Sequence, residues 1–85
     1  DNPLRGDILF QLGRMYYNKG RLQDAEVLFR RVLLLSPKNS NAHYSLGLLY
    51  EKQKKKKQAI EEFKKVLELN PNDSNVIVKL NQLTK

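Results

Sequence analysis

Shifted by 34 residues, the chain matches itself. Residues 6–39 and 40–73 share nine identities: Leu12/Leu46, Gly13/Gly47, Tyr16/Tyr50, Ala25/Ala59, Phe29/Phe63, Val32/Val66, Leu33/Leu67, Leu35/Leu69 and Pro37/Pro71. Random pairing at ordinary composition gives about two. Phe10/Tyr44, Arg30/Lys64 and Arg31/Lys65 are conservative changes, and Ser74, Asn75, Leu80 and Leu83 repeat Ser40, Asn41, Leu46 and Leu49. Asn2-Pro3 keeps the same register ahead of Ser36-Pro37 and Asn70-Pro71, so the chain reads as opening on the end of an earlier repeat, an excised or processed fragment. A period of this length marks a stacked array, because one short unit cannot bury its own apolar face. At 85 residues the chain is one domain at most, with a thin core.

Each unit reads as two helices. Asp7–Lys19 carries a helical stripe of Ile8, Leu9, Leu12, Met15 and Tyr16, and Gly20 suits a left-handed C-terminal turn. Gln23–Leu35 follows with Ala25, Leu28, Phe29, Val32 and Leu33, and Pro37 prevents its continuation. Asn39 or Ser40 caps a third helix running to about Gln53. Lys57–Leu69 repeats the second stripe and ends before Pro71. Asp73 or Ser74 caps a last helix through about Leu83. The expectation is all-α: five helices, with no strand pattern. The small Gly13/Gly47 and Ala25/Ala59 let paired helices cross closely, while Tyr16/Tyr50 and Phe29/Phe63 fill the space beside the crossing.

These residues resemble the tetratricopeptide repeat family, whose signature is W-x2-L-G-x2-Y, then A-x3-F, then P. The first repeat has Leu9-x2-Leu12-Gly13-x2-Tyr16, Ala25-x3-Phe29 and Pro37; the second has His43-x2-Leu46-Gly47-x2-Tyr50, Ala59-x3-Phe63 and Pro71. Leu9 and His43 stand where the family often has Trp, and Lys54 stands where the first repeat has Gly20. The resemblance implies tandem antiparallel helix-turn-helix repeats in an α-solenoid, a right-handed superhelix. Residues 1–39 form the first repeat, with the tail of a preceding one at 1–5. Residues 40–73 form the second. Residues 74–85 form a capping helix or a truncated third repeat, since Asn81 and Thr84 replace Gly and Tyr there.

At 100° per residue, Asp7, Phe10, Arg14 and Tyr17 lie opposite Leu12 on the first helix. Their counterparts are Asn41, Tyr44, Leu48 and Glu51 on the third helix, and Asn75, Val78, Gln82 and Lys85 on the fifth. By resemblance this face lines a concave groove where a partner peptide binds. A pole meeting only water should be polar, yet Phe10, Tyr17, Tyr44, Leu48 and Val78 gather there, and neither Phe10 nor Tyr44 is expected to face its own hairpin core. Apolar anchors with a polar rim suit a peptide or helix of a partner protein. The plainer readings are scattered surface residues or packing against further repeats. One subset of the family clamps C-terminal carboxylates with Lys and Asn on the first groove helix, Asn on the second, and Lys and Arg on the third. The matching places here hold Phe10, Arg14, Ser45, Asn75 and Lys79, so that pattern is absent.

Two alternatives rest on other features. Ile8 and Leu9 would be left uncovered without a preceding repeat, which opens self-association or scaffold assembly through end helices. Lys54, Lys55, Lys56 and Lys57, with Lys52 close by, form a basic patch for nucleic acid or an anionic membrane. A solvated turn is the plainer reading of that run. The net charge of +7 falls to +3 without it, and no aromatic residues interleave with it for base stacking. The absence of cysteine rules out disulfides and thiolate metal sites, one histidine rules out His-cluster metal sites and leaves little for acid–base catalysis, and no nucleophile–base set or metal motif appears. His43 reads as a packed core-edge histidine. Glu61 and Glu62 point about 100° apart and form no acid–base pair. No phosphate loop appears, no run approaches the ~20 apolar residues that span a bilayer, and Asp1-Asn2-Pro3 is no signal peptide. The chain reads as a protein-interaction module, not an enzyme, with no cofactor.

Overall fold

The computed structural model describes residues 5–85, so the Asn2-Pro3 register falls outside the described residues. Five helices run in order: α1 (Gly6–Asn18), α2 (Leu22–Leu35), α3 (Ser40–Lys52), α4 (Lys56–Leu69) and α5 (Ser74–Leu83). Bounds move by about one residue from the sequence expectation. Of the candidate caps, Asn39 and Asp73 act: their side chains accept from the backbone N–H of Ala42 and Val76 at 3.1 and 3.2 Å. Each fills one donor that a helix start leaves unpaired.

The turns inside the two hairpins share one geometry. Gly20 lies at φ +81°. Its N–H donates to the Tyr17 carbonyl at 3.0 Å, and that of Arg21 donates to Tyr16 at 2.9 Å. In the second hairpin Lys54 sits at φ 62°. Its N–H donates to Glu51 at 3.0 Å, and that of Lys55 donates to Tyr50 at 2.8 Å. A lysine in the left-handed region carries a Cβ clash that glycine avoids. Lys54→Gly is therefore expected to stabilise the protein by about 0.5–1 kcal/mol, measured by urea denaturation. An unchanged or lower midpoint would contradict the strain.

Helices α1 and α2 form one hairpin and α3 and α4 the next; α2 packs on α3, and α4 on α5. The crossings are set by glycine against phenylalanine. A Cβ on Gly13 would lie 2.6 Å from Cε1 of Phe29, and one on Gly47 would lie 2.5 Å from Cε1 of Phe63. Real Cβ atoms do not approach that closely, so only glycine lets these rings lie on the helix backbone. Ala25, Phe29, Leu46, Leu49, Tyr50, Ala59, Phe63, Val66 and Val76 make a core that runs across both hairpins into α5. Burying each large apolar side chain is worth about 1.5–3 kcal/mol.

One expected stripe behaves differently in its two copies. Ile8, Leu12 and Met15 are 45, 38 and 40% exposed, whereas their counterparts Ala42, Leu46 and Leu49 are 0, 1 and 0% exposed. The reason is order in the stack: α2 covers that face of α3, and no described helix covers that face of α1. Leu9, expected beside Ile8 on the uncovered face, is instead buried against Val32 and Ala42.

Tyr50 ties the repeats together. Buried on α3, its hydroxyl donates to Glu26 Oε2 on α2 at 2.8 Å and accepts from the Arg30 guanidinium. Nε of Arg30 donates to the same carboxylate oxygen at 3.0 Å. Burial, reinforced by the bond to Glu26, pushes the Tyr50 phenol up to about 12. Burial also acts to raise the Glu26 carboxyl, but the bonds from Tyr50 and Arg30 outweigh it and hold the group below its usual range. The network ties α3 to α2.

Candidate functional site

Two adjoining clefts lie between α1 and α3. One, of about 190 Å³, is lined by Arg14, Tyr17, Asn18, Phe29, Ser45 and Leu48. The other, wider and about 400 Å³, is lined by Phe10, Arg14, Asn41, Tyr44, Ser45 and Leu48. They share Arg14, Ser45 and Leu48, so they form one groove with Arg14 near its middle. Phe10, Arg14, Tyr17, Asn41, Tyr44 and Leu48, expected on one face from their helical positions, all line it. Asn18, one turn beyond Arg14, and Ser45, one turn beyond Asn41, line it as well; both lie outside the expected face, and their spacing is visible in the sequence. Phe29 comes from α2, which no argument confined to first helices supplies.

The remaining expected residues sit apart from the clefts. Asp7 is exposed and accepts from Arg5 Nη2 at 2.7 Å, and this bond is what lowers its carboxyl below its ordinary value. Glu51 accepts from Lys79 Nζ on α5 at 3.0 Å. Asn75, Val78 and Gln82 are exposed on α5 and line neither cleft.

Two expectations need correction. Phe10 and Tyr44 do face their own hairpins: their rings pack on Phe29 and Phe63 at centroid distances of 5.6 and 5.7 Å, and both are half-buried. The glycine one turn away lets the ring from the second helix come close enough to meet them. Only their outer edges are offered to the groove. Lys52 does not join the basic patch either. Its ammonium lies over the Tyr17 ring, 4.8 Å from the centroid, an attraction between a cation and the ring's negative face. Tyr17 is half-buried, and desolvation, with the nearby Glu51 charge, raises its phenol above the ordinary value.

Lys54, Lys55, Lys56 and Lys57 are all exposed, from the turn into the first residues of α4. That helix start has no side-chain cap and no acidic residue in its first turn. Cations there oppose the helix dipole, so the run is locally unfavourable rather than structural.

His43 is buried, and both ring nitrogens have partners: Nδ1 is 2.8 Å from Glu62 Oε1, and Nε2 is 2.9 Å from the Pro37 carbonyl. The two contacts hold the ring in place from both sides. The pair joins α3, α4 and the turn before α3, outside the groove.

The chain matches the tetratricopeptide repeat family over residues 40–73 and, by a second TPR repeat description, over residues 13–54. The chain belongs to the tetratricopeptide repeat family. No curated protein matches it. Tetratricopeptide repeats are generally protein–protein interaction modules of a non-catalytic family, and their repeats build helical solenoids, which accounts for the stacked hairpins seen here.

Proposed function

We propose that this tetratricopeptide repeat protein holds a segment of a partner protein in the groove between α1 and α3, without chemistry of its own. The observation that supports this is the continuous cleft itself: aromatic and aliphatic edges from Phe10, Tyr44, Tyr17 and Leu48, with the polar Asn18, Asn41 and Ser45 among them. Apolar anchors give affinity, and the polar groups orient the ligand's backbone. Leu48 lines both clefts, so Leu48→Glu puts a charge at the centre of the site. Partner capture is expected to fall at least about 30-fold, as for a central anchor, with helicity by circular dichroism unchanged. Charge reversal at Lys55 and Lys56 is expected to alter capture little at physiological salt. The reverse outcome would move the site to the basic turn.

The exposure of Ile8, Leu12 and Met15 favours self-association as a second reading. Sedimentation across a concentration series is then expected to show wild type forming a dimer that Leu12→Glu abolishes. A wild type that stays monomeric at millimolar concentration removes that reading.

A further inference from the structure

The groove is asymmetric in charge. Arg5, Arg21 and Arg30 each hold a carboxylate of the chain, Asp7, Asp24 and Glu26 respectively, at 2.7, 2.7 and 3.0 Å. Arg14 and, outside the groove, Arg31 make no ion pair among the described residues. No carboxylate lines either cleft. The two acidic residues on the groove face are already engaged, Asp7 by Arg5 and Glu51 by Lys79. Lys52, over the Tyr17 ring, adds positive charge at one end. The groove therefore presents one unmatched guanidinium in its middle, with apolar surface on both sides of it: Phe10 and Tyr44 towards one end, Tyr17 towards the other.

We infer that the groove selects a peptide in which an acidic side chain, flanked on both sides by apolar ones, pairs with Arg14. This rests on the reading of the groove as a peptide site and names what that peptide must carry. A planar guanidinium accepts a carboxylate in a two-pronged, charge-assisted pair, which is stronger and more directional than a neutral hydrogen bond. The acid is a side chain within the segment and not a chain end. Arg14 borders both clefts, so a peptide that ended at it would leave one apolar end of the groove empty.

The test is selection from a random dodecapeptide library displayed on phage, with this chain as bait. Wild type is expected to enrich Asp or Glu with apolar residues on both sides, and Arg14→Glu to enrich Lys or Arg at that place. Arg14 is exposed, so neither variant disturbs the core. An enriched sequence is then synthesised with blocked ends. Changing its Asp to Asn, or Glu to Gln, is expected to weaken binding about 10-fold or more to wild type, and hardly at all to Arg14→Gln. Enriched peptides without an acidic residue overturn the inference while leaving the groove standing. So does an equal loss against Arg14→Gln, or binding that needs a free C-terminal carboxylate. No enrichment, or enrichment indifferent to Leu48→Glu, overturns the groove reading and this inference with it.

Discussion

Phe63→Ala is expected to cost about 3–5 kcal/mol, enough to leave an 85-residue chain largely unfolded at room temperature. Phe63 is fully buried, lies against the backbone at Gly47, and carries the Tyr44 ring on its other side. Removing it opens a cavity where α3 and α4 cross, inside the core shared by both hairpins and α5. Gly47→Ala attacks the same contact from the opposite side. Its methyl would stand 2.5 Å from the ring, so the ring or the helix must shift, at about 1–3 kcal/mol. The two changes are expected to be strongly non-additive: with Phe63 already alanine, the methyl at position 47 has room and its cost vanishes. Urea denaturation of the four proteins measures this, with a stabilising background if the double change is too unstable. Additive losses would mean that glycine is there for some reason other than the ring.

The second large effect concerns His43 and Glu62. The first repeat has Leu9 and Leu28 at the equivalent places, packed in one apolar cluster. Glu62→Leu alone takes away the acceptor at 2.8 Å from a histidine that is only 8% exposed, at an expected cost of about 2–3 kcal/mol. His43→Leu alone leaves a carboxylate that is mostly buried, with only the longer 3.7 Å contact to Lys65, and is expected to cost a similar amount. Making both changes imports the apolar pair of the first repeat, and stability is expected to return to within about 1 kcal/mol of wild type. The Pro37 carbonyl, on an exposed turn, then turns to water. Thermal unfolding of the four proteins gives the coupling directly. A double variant as unstable as the summed singles would show that the polar pair supports the turn in a way two leucines cannot.

Chain order and periodicity determined the helices. Apolar residues at helical spacing, a glycine or proline after each run, and a 34-residue repeat leave a single arrangement of hairpins, because these are local properties of the backbone and of the side chains nearest each residue. The same logic identified the groove face, since residues on one pole of a helix stay together whatever the helix packs on. What a given face meets is a tertiary matter. Leu12 and Leu46 have the same local signature, yet one is exposed and the other buried, because among the described residues α2 covers that face of α3 and no helix covers that face of α1. Phe10 and Tyr44 were legible as groove residues but not as partners of Phe29 and Phe63, since that contact depends on how closely the glycines let two helices cross. The His43–Glu62 pair had one signal in the sequence: Leu9 and Leu28 change together to His43 and Glu62 between repeats. Reading it needs the crossing of α3 and α4, which brings residues 19 apart in the chain to 2.8 Å. The unmatched charge of Arg14 is likewise a property of the fold, because only the packed structure shows which carboxylates are already taken.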